Sequence, residues 1–218
     1  MTTRPRPHRD GPVGRRNRRG ALAALVAVAA AAFVAPGPAR AQAASAADAE
    51  RFVRELGERT LAVLGDPALA REAKLERLIA LVDEATDLDL IARLALGRTW
   101  RALDPTRQSE YTALFRAMVR RTLAERLGDY SGETLAVAGA RALDERDALV
   151  STRIGRAGAA PFRVDWRVRA SDGGRLAIVD VMAEGVSLLV TQRAEFGEIV
   201  ERQGIDGLIE QLRARAGG

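Results

Sequence analysis

Three carboxylates stand where a sheet-borne acid–base group could work: Asp165, Asp180 and Glu184, on or just after two strand-like segments of the C-terminal half. A carboxyl group in an apolar setting has its pKa pushed up and can shuttle protons, so these positions would suit isomerase- or hydratase-type chemistry on a small apolar substrate. Each has a plainer structural reading. Asp165 alternates with Arg163 and Arg167, the pattern of a charged strand face, solvated or paired across strands. Asp180 lies in an apolar run, where a lone carboxylate is costly, so a partner such as an arginine is expected. Glu184-Gly185 marks a strand exit, where Gly allows a sharp bend, and Arg193 is expected within reach of the Glu184 carboxylate. Little else could do chemistry. The 218 residues hold no Cys and a single His, His8. Thiolate and disulfide chemistry are excluded, as are sulfur-built zinc or iron–sulfur sites. If the leader carrying His8 is removed, imidazole catalysis and His-ligated metals go with it. No Gly-rich phosphate loop, acidic metal cluster or serine elbow is present. On residue types alone the three carboxylates stay open as acid–base candidates beside their structural readings; no metal and no cofactor are expected.

The charge is divided unevenly. The chain carries +5 overall. Residues 1–41 hold eight Arg and one Asp, +7; the remaining residues hold 26 Lys+Arg against 28 Asp+Glu, −2. A near-neutral body lacks the electrostatic footprint of a nucleic-acid binder. The basic segment reads as an export leader. Arg15-Arg16-Asn17-Arg18-Arg19 precedes a 16-residue apolar run, Gly20 to Ala35, and then Pro36-Gly37-Pro38 and the small-x-small site Ala39-Arg40-Ala41. The run is short of the ~20 residues that span hydrocarbon. The spacing therefore predicts a signal peptide over 1–41, cleaved near Ala41, and a body over 42–218 in the periplasm; Sec and twin-arginine export both stay open.

The body must then supply the frame. Residues 42–50 are Ala-rich and expected to fray. Helical spacing begins near 48 with Phe52, Val53, Leu56, Thr60, Leu61 and Leu64, and ends at Gly65. Asp66-Pro67 reads as the cap and first residue of a second helix bearing Leu69, Leu75, Leu78, Ile79 and Val82. A short helix follows over about 87–96, with Gly97 at its end. Asp104-Pro105 opens the longest helix, about 105–127, striped by Tyr111, Leu114, Phe115, Met118 and Leu123 and closed by Gly128. From Tyr130 the period changes to two. Strands are predicted over 134–140, 148–155 and 162–168, with turns at Asp144–Asp147 and at Asp172-Gly173-Gly174. A fourth, over 175–183, is apolar on both faces and so is expected to be central. Helical spacing returns at Leu188, Leu189, Phe196, Ile199 and Val200, is broken at Gly204, and resumes through Leu212. The result is one α+β domain: N-terminal helices, an antiparallel four- to five-stranded twisted sheet and C-terminal helices. Whether the apolar space between sheet and helices is filled or hollow stays open on composition.

Specific strings add to this. Pro161-Phe-Arg-Val-Asp-Trp-Arg-Val-Arg169, Asp180-Val-Met-Ala-Glu-Gly-Val-Ser-Leu188, Arg193-x-x-Phe196 and Gly204-Ile-Asp-Gly-Leu-Ile209 closely resemble the C-terminal half of the MlaC family. Ala95-Leu-Gly-Arg-x-Trp100, Pro105-x-x-Gln108 and Tyr130-Ser-Gly132 fit the same family, so the resemblance covers about 50–212. It implies a cone-like fold with an apolar pocket between sheet and helices. It also implies a monomeric, non-enzymatic periplasmic carrier with bound phospholipid as cargo. The partners it implies are an outer-membrane lipoprotein–porin complex and an inner-membrane ABC transporter with an MCE-domain protein, in a pathway that maintains outer-membrane lipid asymmetry. By family position and strand parity, Phe162, Val164, Trp166, Val168 and Val186 are the expected lipid-facing residues, Phe162 and Val186 foremost. Ile91, Leu114, Phe115, Met118 and Val119 are helix-borne candidates for which a core role is as good a reading. Trp166 departs from the Tyr or Phe more usual in the family. Two other readings stay open beside the carrier: an enzyme on a cone-shaped fold using Asp165, Asp180 or Glu184, and a chaperone or adaptor with a filled core.

Overall fold

The computed structural model describes residues 45–126 and 130–217; the expected leader and Gly128 lie outside them. Helix α1 spans Ala46–Gly65. It starts inside the stretch expected to fray because Ser45 caps it, its hydroxyl accepting from the Asp48 amide at 3.0 Å. Helix α2, Arg71–Ala85, begins later than Asp66-Pro67 suggests. Asp66 does accept a backbone hydrogen bond, but from Ala68, two residues on. That Asx turn closes a tight loop and spends the carboxylate before a helix can start. Helix α3, Leu88–Leu96, is capped by Asp87 through the Leu90 amide and ends at Gly97, whose φ of 64° needs a residue without Cβ. A 3-10 turn over Gly97–Ala102 leads to α4, Pro105–Arg126, where Asp104 accepts from the Arg107 amide and Pro105 takes the first helical position.

The strands are β1 (Thr134–Ala142), β2 (Asp147–Arg156), β3 (Ala159–Ala170), β4 (Leu176–Ala183) and β5 (Val186–Ser187). They form an antiparallel meander in chain order. The first turn is held by Asp144, whose carboxylate accepts from the Arg146 and Asp147 amides. Register breaks at Val137/Gly139, Ile154/Arg156 and Arg167/Val168 are bulges, and each bends its strand locally. The chain ends in α5, Leu188–Gly217, interrupted at Gly204 (φ 70°), where the sequence breaks its helical spacing.

β4 is not central. Among the described residues, only the two of β5 and a single bridge from Thr86 to Ile178 lie beyond it. Its two apolar faces have another cause: α2, α3 and α5 all pack against it, so Ala177, Ile178 and Val179 are buried at the sheet's margin. β2 and β3 are the central pair.

Helix α1 lies on β1 and β2. Gly57 lets it approach, since a Cβ there would stand 3.0 Å from Leu135 Cδ1. On the sheet's other face, Asp147 is fully buried and takes hydrogen bonds from both Arg167 and Arg169. Burial alone would raise its carboxyl, but the two guanidinium groups outweigh that and hold it below the usual carboxylate range.

Candidate functional site

Two apolar assemblies share the helices and the sheet, and they differ in one respect. The first is filled. Tyr111 and Phe115 of α4 meet Phe196 of α5, with ring centroids 6.1–6.4 Å apart and edge-on or tilted faces. Leu88, Ala92, Ala95 and Leu96 of α3 close the cluster with Leu208 and Leu212. The Tyr111 hydroxyl donates to the Ala92 carbonyl at 3.0 Å, and burial drives its pKa far above the phenol range.

The second is hollow. Between α1, α2 and the inner face of the sheet lies a cavity of about 460 Å³. One wall is α1, whose Leu56, Thr60, Leu61 and Leu64 follow helical spacing along one broad face. Leu78, Leu81, Val82 and Ala85 of α2 make the second wall, and Leu123 near the end of α4 adds to it. Strands β1 to β4 supply Leu135, Ile154, Trp166, Ile178 and Val181, all inward; Ile178 and Val181, three apart, share the face because the β4 bulge at Val179 inserts one residue between them. Trp166 donates its indole N–H to the Thr152 hydroxyl at 3.0 Å, which in turn donates to the Val164 carbonyl. The ring's polar atom is thus satisfied away from the cavity, and its apolar surface remains for the wall. Polar lining gathers at one end, with exposed Arg126 and Thr134 and half-buried Glu133, so that end meets solvent. Glu133 accepts from the Ser131 amide and from Arg156 Nε at 2.7 Å; these bonds, the backbone one foremost, hold its pKa down to about 2. It is a fixed anion, the opposite of the neutral carboxyl that acid chemistry on an apolar substrate requires.

The three carboxylates singled out above all have structural positions away from this cavity. Asp165 is 5% exposed, hence not solvated, and pairs with Arg163 Nε at 2.9 Å on its own strand. Among the described residues Asp180 has no arginine partner. Its oxygens accept from the Val181 and Leu189 amides and the Ser187 hydroxyl, so it caps the start of α5 from the preceding strand. Glu184 sits in the tight β4–β5 turn at φ 47°, beside Gly185 at φ 83°. Its carboxylate accepts from the Arg163 amide, while Arg193 lies instead against Gly97. Among the described residues no group of His, Cys, Asp and Glu is placed to hold a metal ion.

Of the expected lipid-facing residues, Trp166 lines the cavity. Val164 and Val168 are buried on the same face of β3, Val168 in the packed patch with Val53 and Val150. Phe162 is 40% exposed and pairs with Ile154, a cavity residue; Val186 is 60% exposed on β5. Phe115 belongs to the filled cluster, and Ile91, Leu114, Met118 and Val119 pack around it. The walls made by α1 and α2 were not singled out in the sequence. The available signal was Gly57, a small residue inside an otherwise regular helical stripe, which marks a close approach of backbone and neighbour.

The family model of the MlaC protein matches residues 54–214, from α1 to α5, and so takes in every element that walls the cavity. The chain belongs to the MlaC family. A solved structure similar to this MlaC chain is the phospholipid-binding protein from Ralstonia solanacearum in complex with a phospholipid. The two are 28% identical with a TM-score of 0.67, over 78% of this chain and 97% of that one. The likeness covers nearly the whole of the Ralstonia chain, so the two share their overall fold. No helix among the described residues of this MlaC chain is long and apolar enough to cross a membrane.

Proposed function

We propose that this protein is a phospholipid carrier of the periplasm, taking acyl chains into the cavity between α1, α2 and the sheet. The observation that carries the reading is the cavity itself: apolar on three sides, open at one polar end, and within the ~300–1,000 Å³ range of small-molecule sites. The phospholipid held by the similar Ralstonia protein supports it. The physics asks for such a shelter. Two tails of about fifteen methylenes each, at ~0.8 kcal/mol per exposed CH₂, face a penalty on the order of 20 kcal/mol in water. Enclosing them needs no catalytic group, cofactor or metal.

Trp166 is the proposed central contact of the sheet with the tails, and Phe162 and Val186 the outer contacts. Spontaneous release would expose the tails, so transfer proceeds on docking. The proposed donors and acceptors are an outer-membrane lipoprotein–porin complex and an inner-membrane ABC transporter with its MCE-domain protein. Residues 1–41 are the proposed export signal.

Organic extraction of the purified protein followed by mass spectrometry should yield phospholipid. A charge at the outer contacts, Phe162→Glu or Val186→Glu, should abolish it. These are half- or largely exposed sites, so stability should stay within about 0.5 kcal/mol by urea unfolding. Lipid-free protein after incubation with liposomes would overturn the carrier; lipid retained by both variants would overturn the outer contacts alone.

A further inference from the structure

A second recess, of about 260 Å³, adjoins the cavity and shares Leu64 with it as a common wall. Its remaining lining is Leu69, Arg71, Lys74 and Tyr130. Arg71 and Lys74 are three residues apart in the first turn of α2, so their side chains share a face, whereas Glu72 points off it and is exposed. Both cations are anchored to backbone carbonyls. Lys74 Nζ donates to the Leu64 carbonyl at 2.6 Å and Arg71 Nη2 to the Ala124 carbonyl at 2.9 Å. An ammonium has three donors and a guanidinium five, so each keeps several uncommitted. Among the described residues neither is paired with a carboxylate. The α2 N-terminus adds to this: Ala70, its capping residue, offers no side-chain acceptor, so the leading amides keep their positive partial charge. Tyr130 brings a phenol to the same recess.

Resting on the carrier reading, we propose that this recess binds the phosphate of the lipid whose acyl chains occupy the cavity, through Arg71 and Lys74. Charge-assisted hydrogen bonds from a guanidinium and an ammonium are strongest to an anionic phosphate oxygen and weaker to the neutral ester carbonyls and hydroxyl of a phosphate-free glycerolipid. The carrier thereby selects phospholipid over diacylglycerol, which carries the same tails.

The test is competitive loading. Delipidated protein is incubated with mixed vesicles of phosphatidylglycerol and diacylglycerol bearing identical acyl chains, and bound lipid is quantified against vesicle content. The wild type should prefer phosphatidylglycerol by at least about tenfold, the smallest effect of a charge-assisted bond. Arg71→Gln/Lys74→Gln should load less phosphatidylglycerol and about as much diacylglycerol, with the preference collapsed to about twofold or less. Arg71→Gln alone guards against misfolding of the double variant, and Arg71→Lys should restore most of the preference. A preference that survives both Gln variants overturns the proposal. Stabilisation by millimolar inorganic phosphate alone, lost in the double variant, would assign the recess to free phosphate and overturn the headgroup assignment. A wild type that loads neither lipid overturns the carrier reading and this proposal together; equal loading of both lipids by the wild type overturns this proposal only.

Discussion

The aromatic cluster around Tyr111 and the cavity above Trp166 are built from much the same apolar alphabet, yet one is full and the other empty. In the cluster, four aromatic rings and the small residues Ala92 and Ala95 let α3, α4 and α5 close on one another. Around the cavity, aliphatic side chains of similar reach line α1, α2 and the sheet, with Trp166 the one aromatic ring among its lining residues. Volume is set there by how far apart the elements stand. α1 is packed on the sheet at its start, where Ala49 and Val53 are buried with Ala148, Val150 and Val168, and Gly57 comes close to Leu135; further along, Thr60, Leu61 and Leu64 coat a wall instead. Hollowness is therefore a property of spacing between elements, not of the residues taken singly.

The contrast can be broken hardest from its filled side. Phe196→Ala should cost about 3–5 kcal/mol in urea unfolding, because a buried ring in a tight cluster leaves a cavity that cannot collapse. A loss below about 1 kcal/mol would mean the cluster is as loose as the cavity. From the hollow side, Ile154→Trp should change stability by less than about 1.5 kcal/mol, since it enters vacant space, whereas the same enlargement in a packed core strains it. Bound lipid should fall by most of its amount in the same preparation.

Two glycines sharpen the difference. Gly57→Ala presses on a Leu135 side chain that borders the cavity and can swing into it, so the helix gain of about 1 kcal/mol should largely appear as added stability. Gly97→Ala should instead destabilise by about 1–2 kcal/mol, because its φ of 64° disfavours any Cβ. The smallest effect is in acid. Glu133 has a folded pKa of about 2, below its unfolded value, so the unfolded chain binds more protons between roughly pH 4.5 and 2. Its contribution is present above that window and lost as pH falls through it. Glu133→Gln should flatten that part of the stability profile, measured by unfolding at successive pH values.

Much of the frame was legible because local rules act alone there. Asp104-Pro105 and Asp87 start helices as their chemistry dictates, and the alternation from Phe162 to Val168 makes a strand. Asp66-Pro67 misleads because the same carboxylate that can cap a helix can close a two-residue turn. β4 misleads because apolarity on both faces records what covers a strand, not how many strands flank it. The partner of Asp180 could not be read as a pair, since a helix start seven to nine residues downstream becomes its neighbour only when the β4–β5 turn folds back. The cavity walls were the least legible. The stripe on α4 from Leu114 to Met118 is as apolar as that on α1, and only their relative placement decides which faces a void.

Asp180 clamps β4 to α5, and α5 carries Phe196 into the aromatic block. The sheet-side wall of the cavity, with Ile178 and Val181, is thereby tied to that filled block. α1 is held separately, on β1, β2 and α2, with Ala49 and Val53 buried against the sheet and Arg59 donating to Glu84 of α2. A substitution at Asp180 would therefore be felt both in the sheet-side wall and in the aromatic block, although the carboxylate lines neither.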